Sequence, residues 1–120
     1  MSLYVLTLVC GGITVLILGA MAFAFWKDPE IGLRQTTHRA EMLPKVMADR
    51  YTAFALLALA ALINGDPKVL AVFFAVCAFM GFADGWLYAR AGHPHLKHTI
   101  SGVLSAVALV IALLAIAGSP

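Results

Sequence analysis

Between Asp84 and His98 the chain reads DGWLYARAGHPHLKH, which gathers a carboxylate, a phenol and three imidazoles into fifteen residues. Those are the groups of general acid–base catalysis, in which a positioned side chain gives or takes a proton at a reacting atom. Asp84 is the centre of interest because it interrupts an apolar run: Val69 to Ala83 carries no charge. An aspartate is too short to reach water from within such a run, unlike lysine. Leaving it ionised in hydrocarbon costs several kcal/mol unless it finds a partner or a proton, so an embedded carboxylate is a functional hypothesis by default.

The partners available by type and position are Arg50, His95 and His98, with Tyr88 one turn further along the same helical face as Asp84. Asp49 sits beside Arg50, and Glu41, Lys45 and Asp49 recur at intervals of four, one stripe of a helix that starts early enough. A cluster of Asp49, Arg50, Asp84, Tyr88 and a histidine follows. Asp84 would be its acid or base, His98 or His95 the proton partner, and Arg50 the anchor or electrostatic stabiliser. Trp86 and Tyr88 would wall the pocket, although Trp86 equally fits the aromatic belt at a membrane interface. The plainer alternative is an Asp–Arg bridge that fixes the register of two neighbouring helices.

His95 and His98, three apart, share a face of any helix that starts near Pro94. Imidazole pairs can begin a metal site, which needs three or four ligands, and Asp84 and His38 are the residues that could complete one. With one cluster and four histidines in all, interfacial histidines are the expected reading. The His95–His98 metal site is the alternative, and no cofactor is expected.

The elements that must position these groups are membrane spans. The 120 residues are 62% hydrophobic and 12% charged, with a mean hydropathy of +0.95, far from the composition of a soluble domain. Met1–Trp26 and Thr99–Pro120 hold no charged residue, and each exceeds the roughly 20 residues that cross a bilayer core. No Lys or Arg precedes the first run, and its apolar part exceeds the length of a signal sequence, so it is expected to be a retained span. Tyr51–Asn64 is too short to cross unless its helix begins near Leu43, where Pro44 suits a first turn. Asn64-Gly65-Asp66-Pro67 is a breaker cluster that fits a tight helical hairpin. In the polar segment that follows the first run, Asp28-Pro29-Glu30 is the start expected for a short interfacial helix.

The fold expected is therefore all-α, a single four-transmembrane-helix bundle with spans over about residues 3–26, 43–64, 68–89 and 98–118. Of the eight Lys and Arg residues, seven fall in or beside the two longer loops, residues 27–42 and 90–97, and only Lys68 lies opposite. That asymmetry predicts cytoplasmic loops and both termini outside. It also accounts for the net charge of +2 without a nucleic-acid partner. Cys10 and Cys77 lack the paired spacing of a zinc or redox motif and are expected to be buried thiols.

Size and span count resemble those of the small multidrug-resistance exporters. Those exporters rely on a glutamate in the first span, and Met1–Trp26 has no acidic residue, so the likeness is one of architecture. Gly32-Leu33-Arg34 near the first loop, Asp49-Arg50 opening the second span, Asp84 in the third and His98 before the fourth are similar to the pattern of a set of small four-span membrane proteins catalogued as a domain of unknown function. The resemblance implies that these polar positions belong together, which adds Arg34 to Arg50 and Trp86 as a candidate substrate-binding residue. It implies no activity. By analogy of chemistry with membrane isomerases and cyclases, the expected function is acid–base isomerisation or cyclisation of a lipophilic small molecule. The alternatives are a non-catalytic subunit or scaffold of a larger membrane complex and a small dimeric transporter. The lipid bilayer is the one partner common to all three.

Overall fold

The computed structural model describes residues 2–119, and among them no residue is in a β-strand. Five helices follow one another: α1 (Leu3–Lys27), α2 (Pro29–Gln35), α3 (Leu43–Asn64), α4 (Pro67–Arg90) and α5 (Leu96–Ala117), with a 3-10 turn at Ala40–Met42 leading into α3. The fold is all-α. Helices α1, α3, α4 and α5 run 22 to 25 residues, or about 33–38 Å at 1.5 Å per residue. That exceeds a hydrocarbon core of about 30 Å, and all four are apolar enough to cross it. The protein is an integral, multi-pass membrane protein.

Its packing has the character expected of one. Among the described residues the buried hydrophobic ones are Ala61, Ala71, Ala78 and Ala112, while large side chains such as Leu104, Ile111 and Leu114 are exposed. In lipid, a leucine gains nothing by leaving the surface, so helices associate where small residues let backbones approach. Cys10 departs from expectation for this reason. It lies on an exposed face of α1, whereas Cys77 is half-buried, and both are free.

By internal contacts the residues form two compact units, 1–50 and 51–120. In the first, Asp28 both ends α1 and begins α2. Its backbone N–H donates to the Ala24 carbonyl at 3.0 Å, and its Oδ1 accepts from the N–H groups of Glu30 and Ile31 at 2.9 and 3.4 Å. Pro29 takes the first helical position, where its missing donor costs nothing. The short helix therefore starts where the sequence places it. Gly32 of α2 is buried against Phe25 of α1: a Cβ there would stand 2.6 Å from the ring's Cγ. Two bonds close the end of α2, His38 N–H to Leu33 carbonyl at 2.9 Å and Thr37 N–H to Arg34 carbonyl at 3.2 Å. This is the Schellman pattern, and its left-handed position usually falls to glycine. Here it is Thr37, with φ of +57°.

In the second unit, the turn from α3 to α4 uses Gly65 with φ of +72° and Asp66, whose Oδ1 accepts from the Lys68 N–H at 2.8 Å. Pro67 opens α4. Helix α4 presents a stripe of buried small residues, Ala71, Ala78, Gly81 and Gly85, spaced so that all share one face. Gly102 and Ala112 answer from α5. The crossing is close: a Cβ on Gly81 would collide with the Gly102 backbone, and one on Gly102 would lie 2.9 Å from the Phe82 nitrogen.

Candidate functional site

The glycine crossing brings the start of α5 against the end of α4, and with it His98 against Asp84. His98 Nδ1 lies 3.8 Å from Asp84 Oδ2, an ion-pair distance once the imidazole is protonated, though longer than a hydrogen bond. Tyr88, four residues after Asp84, stacks on the His98 ring with centroids 4.7 Å apart at a tilt of 36°. The aspartate is not an interior residue: its side chain is 49% exposed and that of His98 35%. One side of the carboxylate faces the imidazole and the other faces outward.

Position in sequence explains the arrangement. Asp84 lies between Gly81 and Gly85 on the face that meets α5, and with no side chain at either glycine the partner backbone comes near the carboxylate. Opposite Gly85 lies Thr99, whose Oγ1 would be 2.7 Å from an added Cβ. Helix α4 then ends in a second Schellman motif. The His93 N–H donates to the Tyr88 carbonyl at 2.9 Å and the Gly92 N–H to Ala89 at 3.1 Å, with Gly92 at φ +75°. This fold-back, typical of helix C-termini, places His93 edge-on to Tyr88 with centroids 6.2 Å apart. Tyr88 thus contacts both His93 and His98.

Across this region runs a family relationship. A family model described as Domain of unknown function (DUF4267) matches residues 5–116. The chain belongs to that family. No curated protein and no solved structure matches it. The family match takes in both units and every candidate residue, so the cluster is part of the family domain and not an appendage to it.

The other candidates of this family member each belong to one unit or the other. His95 does not join Asp84. Its Nδ1 lies 3.1 Å from Thr99 Oγ1, while that hydroxyl donates to the His95 carbonyl at 3.1 Å. A hydroxyl has one hydrogen, so with both contacts made it is Nδ1 that supplies the hydrogen between the ring and Oγ1. Trp86 has Arg90 over its ring, 5.2 Å from the centroid, a cation–π pair suited to the interface. Arg34, Asp49 and Arg50 belong to the first unit, where all three are exposed, Arg34 on α2 and the other two on α3. Among the described residues no three His, Cys, Asp or Glu side chains converge as metal ligands.

His93 is the residue the sequence reading left out. Its signal was present in Ala91-Gly92-His93 directly after α4, a glycine where a helix C-terminus needs one. Asp84, His98, Tyr88 and His93 thus form a connected carboxylate–imidazole–phenol–imidazole series. The series is held by one ion-pair distance and two ring contacts, and it gathers groups that can each give or take a proton at one end of the α4–α5 hairpin.

Proposed function

We propose that this protein is a small membrane enzyme performing acid–base chemistry, of the isomerisation or cyclisation type, on a lipophilic molecule. One observation carries the reading: the Asp84 carboxylate and His98 imidazole lie 3.8 Å apart with Asp84 still half open outward. A part-exposed pair of this kind adds little to stability, so tying the two helices together does not account for it, and the carboxylate stays within reach of a substrate. Asp84 takes the proton from a carbon or hydroxyl of the substrate, and His98 stabilises the charge. Tyr88 holds the imidazole plane by stacking and offers its own O–H as a second donor. The Lys and Arg distribution supports a site at the cytoplasmic side, with both termini outside.

The test is solvent-deuterium incorporation. Purified protein in detergent is incubated in D₂O with a total lipid extract, and lipophilic molecules are followed by mass spectrometry. The parent is expected to introduce deuterium at carbon, and Asp84→Asn and His98→Phe are expected to slow this by on the order of 10²-fold. Equal incorporation by parent and variants, or none above the protein-free control, sinks the proposal in favour of a scaffold role.

A further inference from the structure

The turn end of the α4–α5 hairpin carries charge of one sign. Residues 85–120 contain no Asp or Glu, while Arg90 closes α4 and Lys97 stands in the first turn of α5, with His93 and His95 between them. The nearest carboxylate in sequence, Asp84, faces His98 at 3.8 Å. The other polar segments are mixed. Residues 27–50 set five Lys and Arg among four Asp and Glu, and the α3–α4 turn sets Lys68 close to Asp66. Helix dipoles do not supply the difference, because α4 ends where α5 begins and their opposite poles meet. The side chains decide the sign.

The form of this end suits a bilayer surface. Residues 86–97 are exposed throughout, and apolar side chains stand among the cations: Trp86 and Leu96 are each more than half exposed. At a membrane interface the acyl region accepts such groups while the headgroups accept the charge. The Arg90 guanidinium lies 5.2 Å from the centroid of the Trp86 ring, and an indole near the end of a spanning helix settles at headgroup level. That contact holds the guanidinium at the depth of lipid phosphates, which it can bind through paired N–H donors. The turn itself is fixed by Gly92 at φ +75° and by the His93 N–H on the Tyr88 carbonyl at 2.9 Å, so Lys97 stays at the same end.

We infer that the α4–α5 turn binds the phosphate head of an anionic phospholipid, held by Arg90 and Lys97, with Trp86 and Leu96 against its chains. The inference rests on the charge pattern and the Arg90–Trp86 contact, and not on the acid–base reading. Zwitterionic lipids are poorer ligands, because their own cation meets cations with no carboxylate among them.

The test reads tryptophan fluorescence in reconstituted bilayers. Brominated lipids quench an indole on contact, so phosphatidylglycerol or phosphatidylcholine, brominated near the head of otherwise identical chains, reports which lipid sits at the ring. Trp26→Phe leaves Trp86 as reporter, since the chain has two tryptophans. Each Lys or Arg at an anionic surface strengthens attachment about fivefold, so a preference of at least about fivefold for phosphatidylglycerol is expected at Trp86. It should shrink in about 0.5 M salt, a result that needs no further variant. Paired Arg90→Gln and Lys97→Gln substitutions, both at exposed positions, should abolish it. Trp86→Phe moves the reporter to Trp26, where Lys27 is followed by Asp28, and little preference is expected there. With both lipids in both leaflets, the outcome does not depend on orientation. Equal quenching by the two lipids at Trp86 overturns the inference and leaves the patch to a water-borne acidic partner. A preference that survives the salt or the paired substitution, or one just as strong at Trp26, overturns it too. Relief of quenching by glycerol phosphate, a head without chains, would overturn it in favour of a soluble phosphate ligand.

Discussion

At 3.8 Å, with both side chains part-exposed, the Asp84–His98 contact resembles the ion pairs that contribute about 0–1 kcal/mol. Asp84→Asn should therefore leave the thermal midpoint in detergent within a few degrees of the parent, and a collapse of the fold would recast the pair as structural. The strained residue is elsewhere. Thr37 holds φ of +57°, where a β-branched side chain crowds its own backbone and left-handed geometry costs about 1–2 kcal/mol. Thr37→Gly removes that strain but adds freedom to the unfolded chain, so a net gain of about 0.5–1 kcal/mol is expected, read as a higher unfolding midpoint. A lower midpoint would mean that the Thr37 side chain makes contacts worth more than the strain.

At the scale of elements, the α4–α5 hairpin depends on glycines more than on its charges. Gly102→Leu would drive a side chain into Phe82, whose nitrogen is 2.9 Å from the Cβ position. Overpacking of this kind costs about 1–3 kcal/mol, and it would also part His98 from Asp84. The variant should lose both thermal stability and solvent-deuterium incorporation, whereas Asp84→Asn loses only the second. The sequence was uneven in announcing these features. Helix ends were legible because caps are local chemistry: Asp28-Pro29 and Asp66-Pro67 name their own positions. The glycine crossing was not. Gly81 and Gly85 sit in an apolar run where a small residue carries no sign of which face will be packed, and only the placement of α5 reveals it. Choosing His98 over His95 needed the same information. His95 precedes α5 and turns to Thr99, while His98 stands a turn later on the face toward α4. Thr37 gave no warning at all, since nothing in Thr36-Thr37-His38 marks a left-handed residue.

The four long helices fix that the molecule crosses a membrane, and the charge asymmetry argues in which sense. Seven of eight Lys and Arg residues fall in or beside residues 27–42 and 90–97, and short loops rich in such residues stay cytoplasmic. A cytoplasmic placement of these loops would open the candidate site to the inner leaflet, because the α4–α5 turn carries His93 and His95 and lies a few residues from Asp84. Single-cysteine labelling tests this once Cys10 and Cys77 are replaced by alanine. Lys68 and Ala91 are both exposed and lie at opposite ends of α4. In intact cells a membrane-impermeant maleimide should modify Lys68→Cys, and Ala91→Cys should react only after permeabilisation. The reverse pattern would turn the site to the outside and require its substrate to arrive through the outer leaflet. Equal labelling of both would mean that the chain inserts in two orientations.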